Sequence, residues 1–147
     1  MLISHEIPKK LFPFHDYINN YPYLLAHLLL KEYHYDNEYA TFYKECLKNH
    51  SYSILDNSCF ELGMPVETEH LVNLSFEYNV SHIVLPDMFR DSKATIKLAE
   101  ENLPKLIGKV NSKLFAVVQG NSFKEMLDCY DFYNQIPEID IIGINYS

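Results

Sequence analysis

The sequence predicts an α/β fold: a parallel β/α barrel of the TIM type, incomplete, with about five βα units in one domain over residues 1–147. Three observations predict it. Short, near-continuous apolar runs alternate with single helical stretches, the pattern of a parallel sheet covered on both faces. Strand starts recur about every 26 to 31 residues from the second strand onward. Three of the runs end on a polar residue: Asp56 closes Tyr-Ser-Ile-Leu-Asp, Asp87 closes His-Ile-Val-Leu-Pro-Asp, and Gln119 closes Leu-Phe-Ala-Val-Val-Gln. In a parallel α/β protein such strand ends share one rim, where ligands bind. An eight-unit barrel at this spacing needs about 250 residues, so a small open doubly wound sheet is the alternative architecture.

Each element follows from local signals. Residues 2–7 (Leu-Ile-Ser-His-Glu-Ile) suit a first strand ended by Pro8. From Tyr23 to Tyr33, Leu24, Leu25, Leu28 and Leu29 recur at helical spacing behind Pro22, which predicts a helix. Tyr35 to Leu47 predicts a second helix with Asp36 or Asn37 as its cap. Residues 52–56 form the second strand, and 68–78 a helix with Leu71, Val72, Leu74 and Phe76 on or near one face. Residues 82–87 are the third strand. Asp91 or Ser92 caps a helix to about Leu103, where Pro104 interrupts it. Residues 113–119 are the fourth strand. Ser122 and Glu125 make a capping box for a helix to about Tyr133, and 139–145 (Ile-Asp-Ile-Ile-Gly-Ile-Asn) is a fifth strand. That last apolar run has no helix after it to cover it, so truncation or assembly with a second polypeptide is expected.

Composition narrows the class. With 48% hydrophobic and 22% charged residues, the chain has enough apolar material for one real core. A formal net charge of −8 argues against a general polyanion-binding surface, because nucleic-acid affinity leans on Lys and Arg at phosphates; a local basic groove stays open. Cys46, Cys59 and Cys129 are far apart, so neither a zinc knuckle nor a disulfide framework is expected. His15, His27, His34 and His50 lack the i, i+4 partnership with an acid seen on a metalloprotease helix and are read as surface or packing residues. No metal site and no cofactor is expected. Nothing in the sequence reads as a membrane span or signal peptide, which points to the cytoplasm.

Three patches carry chemistry. In Leu55-Asp56-Asn57-Ser58-Cys59-Phe60-Glu61-Leu62-Gly63, Asp56 and Asn57 suit an Asx-type turn. The same residues suit a carboxylate at a barrel mouth, with Phe60 as a stacking face for a flat ligand. In Leu85-Pro86-Asp87, the acid either caps the Asp91 region or accepts hydrogen bonds from a ligand. In Val117-Val118-Gln119-Gly120-Asn121, Gly120 permits close backbone approach, and Gln119 offers both donor and acceptor.

Taken in order, these patches resemble the tRNA-guanine transglycosylase superfamily, most closely its phage and bacterial DNA-modifying branch. The family's Asp-Ser-Gly-Gly-Phe/Tyr-Gln motif is similar to Asp56-Asn57-Ser58-Cys59-Phe60-Glu61. Its Val-Gln-Gly-Gly motif is similar to Val118-Gln119-Gly120-Asn121, and Gly143 in Ile-Gly-Ile resembles the glycine strand that follows. The resemblance implies a β/α barrel that exchanges guanine for a 7-deazaguanine base in nucleic acid, DNA more than tRNA. It implies Asp56 as the catalytic acid/base group, Phe60 stacked on the base, and Asp87 and Gln119 reading its edge. Gly120 and Gly143 would add backbone contacts. Ser58-Cys59 replaces the double glycine and Glu61 the glutamine, which alters the pocket floor. The family's nucleophilic aspartate and zinc site lie on later strands, so the resemblance implies a base pocket without the nucleophile, inactive as this chain alone. A non-catalytic half-barrel that docks on another subunit is the alternative. An enzyme of phosphorylated metabolites would want a glycine-rich phosphate loop, which this sequence does not display.

Overall fold

The computed structural model describes residues 2–144. Its sheet has five parallel strands in the order β1-β2-β3-β4-β5. These are β1 (Tyr23–Leu25), β2 (Ile54–Asp56), β3 (His82–Val84), β4 (Lys113–Val118) and β5 (Ile139–Ile144). Asn145, the last residue of the expected fifth strand, lies outside the described residues. The helices are α1 (His15–Ile18), α2 (Asn37–Cys46), α3 (Cys59–Leu62), α4 (Thr68–Tyr78), α5 (Ser92–Leu106) and α6 (Phe123–Asn134). Strand order equals chain order, so the sheet is wound in one sense and has no reversal of the doubly wound kind.

The winding puts one sheet face against the helices. Leu55, Ile83, Leu85, Leu114, Ala116 and Val118 share a buried cluster with Leu71 and Leu74 of α4, Ala99 and Leu103 of α5, and Cys129 and Tyr133 of α6. Strand residues alternate in direction, so Ile54, Asp56, Val84, Phe115 and Val117 belong to the other face. Phe115 and Val117 there are only half-buried.

Helix ends follow the expected chemistry where a short polar side chain stands ready. The Asp36 carboxylate accepts from the Tyr39 amide, Asp91 from Ala94, and the Ser122 hydroxyl from Glu125. The Glu125 side chain reaches back to the Asn121 amide at 2.7 Å, one residue short of a reciprocal capping box. Pro104 does not end α5: the helix continues to Leu106, which is fully buried and holds the last turn against the core.

The first 35 residues differ from the sequence expectation. Residues 2–7 form no strand. Their polar groups go instead to Asn19, Asn20 and Tyr21: the Asn19 side chain accepts from the His5 amide at 2.8 Å and donates to the His5 carbonyl at 2.9 Å. The first strand is Tyr23–Leu25, inside the stretch expected to be a helix, and only the 3-10 turn Ala26–Leu28 follows it. A strand buried on both faces is a continuous apolar run, which over so few residues has no period to set it apart from a helix. Pairing with β2 decides: Tyr23 lies opposite Ile54, and the Ile54 amide donates to the Pro22 carbonyl at 3.0 Å.

Among the described residues, no helix is long and apolar enough to cross a membrane, and the three cysteines are free thiols.

Candidate functional site

The C-terminal ends of β2, β3 and β4, with Tyr23 from the start of β1, surround a cavity of about 300 Å³. Tyr23, Asp56, Asn57, Phe60, Asp87 and Gln119 line it, with Val84, Val117, Cys59 and Phe89 as its apolar wall. Four of the residues singled out from sequence, Asp56, Phe60, Asp87 and Gln119, therefore meet in one place. Gly120 and Gly143 do not line it. A Cβ on Gly120 would meet the Met126 amide nitrogen at 2.8 Å, and one on Gly143 would meet the Phe115 ring at 2.6 Å. Both glycines serve close packing, of α6 and of a ring on β4 respectively.

Asp56 is the last residue of β2, and the turn after it is built by its own side chain. One carboxylate oxygen accepts from the Ser58 amide at 2.7 Å; the other accepts from the Tyr23 hydroxyl at 2.5 Å. The Asn57 side-chain oxygen in turn accepts from the Cys59 amide at 2.8 Å. The Asx turn and the cavity carboxylate are thus one structure. Ser58 sits in the left-handed region at φ 60°, and its hydroxyl oxygen accepts from the His27 amide at 3.1 Å, which ties this turn to the loop after β1. Burial pushes the Asp56 carboxyl above the usual carboxylate range, against the opposing pull of the Tyr23 and Ser58 hydrogen bonds.

Asp87 lies beyond β3, in a segment still held to β4 by the Leu85 amide donating to the Phe115 carbonyl at 2.8 Å. It is 6% exposed. Its Oδ1 accepts from the Asn57 side-chain amide at 2.7 Å, and its Oδ2 from the Gln119 side-chain amide at 2.5 Å. It does not cap α5; Asp91 does. Burial raises the Asp87 carboxyl to about 6, the two amides pull it down, and the Asp56 charge pushes it up. Gln119 follows β4 and is fixed at its other end, where its Oε1 accepts from the Arg90 amide at 3.0 Å.

Phe60, on the first turn of α3, is 73% exposed and meets Phe89 edge-on, with ring centroids 5.4 Å apart. An aromatic ring thus stands open to solvent at the cavity mouth, backed by a second ring. Arg90 lies over the far ring, 5.1 Å from its centroid. Burial also pushes the Glu61 carboxyl, next in sequence to Phe60, above its ordinary range.

Two members of this site escape sequence reading. Asn57 is 1% exposed and joins Asp87 to the Leu85 carbonyl, which its amide also reaches at 2.7 Å. Its neighbour Asp56 drew attention to the turn, and only the three-dimensional path shows the bond to Asp87. Tyr23 was hidden by the helical reading of its segment. A separate grouping also appears away from the cavity: His15, Asp16, Cys46 and His50 meet there. The Cys46-x-x-x-His50 spacing, one helical turn, was its sequence signal.

No family model matches this chain, and neither the curated proteins nor the solved structures contain a match to it.

Proposed function

We propose that the cavity is a pocket for a guanine-like base, and that the chain supplies the base-recognising part of a base-exchange glycosyltransferase. The exchange would put a 7-deazaguanine base in the place of guanine in nucleic acid, DNA before tRNA, in the cytoplasm. The observation that carries this reading is the convergence of Asp56, Asp87, Gln119 and Phe60 on one cavity of about 300 Å³. That volume stands at the small end of ligand pockets, which run from about 300 Å³ upward, and suits a single flat ring system.

The chemistry fits the ligand. A guanine edge presents adjacent N–H donors and a carbonyl. A carboxylate such as Asp87 accepts from the donors, and a side-chain amide such as Gln119 matches the carbonyl. Asn57 and Gln119 hold Asp87 in place from two sides, so its remaining lone pairs keep a fixed direction. Phe60 offers a stacking face at the mouth, which a base taken out of its helix needs. Asp56, raised by burial, is the acid/base group of the reading, since a carboxyl shifted toward neutrality exchanges protons more readily at working pH. No nucleophile is assigned among the described residues.

We place the sheet in a TIM-type β/α barrel. The one-sense strand order supports this, as does the half-open face opposite the helices, which in a barrel is the interior. The further strands would pair with the edges of β1 and β5, from a continuation of the chain or from a second polypeptide.

The test is transfer of labelled 7-deazaguanine into guanine-containing DNA by the completed barrel, this chain together with the segment or polypeptide that supplies the further strands, with tRNA as the comparison substrate. Label enters DNA, and Asp56→Asn reduces the rate about a hundredfold or more. A rate unchanged in Asp56→Asn refutes its role. Base binding without transfer to either nucleic acid favours a non-catalytic half-barrel.

A further inference from the structure

Away from the cavity, α1 and the end of α2 bring four ligand-type side chains together. His15 and Asp16 open α1, Cys46 is the last residue of α2, and His50 follows one 3-10 turn later. One ligand atom from each lies within 4.8 Å of all the others. The individual separations are close to those of ligands around a single ion. Cys46 Sγ stands 3.6 Å from His15 Nδ1, and His50 Nε2 stands 3.5 Å from Asp16 Oδ1. Around a tetrahedral ion with metal–sulfur bonds of about 2.3 Å and metal–nitrogen bonds of about 2.0 Å, a sulfur and a nitrogen sit about 3.6 Å apart and two lighter atoms about 3.3 Å. His15 Nδ1 and Asp16 Oδ1, now hydrogen-bonded at 2.7 Å, need to part by about half an ångström.

We infer that His15, Asp16, Cys46 and His50 form a four-ligand site for a divalent transition-metal ion of the zinc type. The donor set selects the class: one sulfur, two imidazoles and one carboxylate suit zinc and its neighbours, whereas calcium and magnesium take oxygen alone. A thiolate and a carboxylate together balance two positive charges.

The supporting shell is already in place. His50 Nδ1 lies 2.9 Å from the Cys46 carbonyl oxygen. A carbonyl only accepts, so Nδ1 carries the proton and Nε2 offers its lone pair on the side where Asp16 stands. The His15 side chain is 2% exposed, and its ring is set by Phe42, Tyr43 and His50, with centroids 5.7, 6.1 and 5.6 Å away. Asp16, by contrast, is 69% exposed and borders an open cavity of about 630 Å³, which gives an ion its way in. On binding, the Cys46 thiol proton leaves to solvent and His15 carries its proton on Nε2. Four protein ligands make a structural centre, one that clamps the N-terminal helical segment to the end of α2. This site is independent of the base-binding reading.

Cobalt(II) titrated into the metal-stripped full chain tests the inference. The expected result is one equivalent bound, with a thiolate-to-cobalt charge-transfer band and tetrahedral visible bands, both abolished by added zinc(II). Cys46→Ser removes the charge-transfer band, and His50→Ala and Asp16→Ala each weaken binding by about tenfold or more. Circular dichroism checks that each variant folds; should Cys46→Ser fail, His50→Ala, at the more exposed ligand ring, decides. Absence of a charge-transfer band, or a band unchanged in Cys46→Ser or His50→Ala, overturns the site. Unchanged affinity in Asp16→Ala overturns the four-ligand set.

Discussion

The Asn57 side-chain amide stands 2.7 Å from Asp87 Oδ1 and joins the ends of β2 and β3 inside the cavity. The same amide nitrogen reaches the Leu85 carbonyl, so one nearly inaccessible side chain serves two acceptors on buried residues.

Replacing Asn57 by Ala leaves both acceptors without that donor. A buried unsatisfied group costs about 1–3 kcal/mol, and the Asx bond to the Cys59 amide goes as well. Urea denaturation at neutral pH is expected to show a loss of about 2–4 kcal/mol. Because the Asn57 bond holds the Asp87 carboxyl down, its titration midpoint moves above the wild-type value in Asn57→Ala.

The Asp87 carboxyl titrates near 6, against 3.8 for an ordinary aspartate. In that window the folded chain binds more protons at this site than the unfolded chain, so stability falls as pH rises from about 4 to about 6. The contribution is on the order of 2–3 kcal/mol, since each pH unit between the folded and unfolded midpoints is worth about 1.4 kcal/mol. Carboxyl carbon NMR gives the midpoint, and denaturation at several pH values gives the slope. A midpoint near the ordinary value refutes the assignment.

Tyr23→Phe removes the hydroxyl that Asp56 Oδ2 accepts. Hydrogen bonds to charged groups are worth about 1.5–3 kcal/mol, so a loss of about that size is expected at neutral pH, shrinking as Asp56 is protonated. The Asp56 midpoint rises, since the Tyr23 bond is the largest influence holding it down. Carboxyl carbon NMR of the variant beside the wild type checks the direction.

The two glycines separate by what faces them. Gly120→Ala drives a methyl into the backbone of α6 at Met126, which cannot step aside, and overpacking of this kind costs about 1–3 kcal/mol. Gly143→Ala meets the end of the Phe115 ring, which is half-buried and able to turn, and costs less. Thermal denaturation of the two variants checks the order.

Much of the frame was legible because β2, β3 and β4 are apolar runs that stop on a polar residue: Asp56, Asp87 and Gln119 reach one cavity since parallel strands deliver their ends to one rim. The helix starts were legible to within a residue because capping is local chemistry: the caps are Asp36 rather than Asn37, Asp91 rather than Ser92, and Ser122. What escaped was long-range. Tyr23 reads as helical beside its leucines until β2 pairs with it, and residues 2–7 read as a strand until Asn19, Asn20 and Tyr21 take the hydrogen bonds of His5, Ile3 and Ser4. Asn57 is one more turn residue until its partner 30 positions away is known. Gly120 suits a ligand contact on sequence because close approach leaves the same mark whether the neighbour is a ligand or a helix, and Gly143 enters by the family resemblance alone.

The central claim is that Asp87, as a carboxylate, accepts the N–H edge of a guanine-like base. Calorimetric titration of the protein with 7-deazaguanine and with 7-deazaadenine tests it most directly. 7-Deazaguanine is expected to bind, and the adenine analogue to bind at least about tenfold more weakly because its edge leaves the carboxylate poorly matched. Affinity for 7-deazaguanine is expected to fall as pH drops below about 6. Equal affinity for the two bases, or no binding of 7-deazaguanine at neutral pH, contradicts the claim.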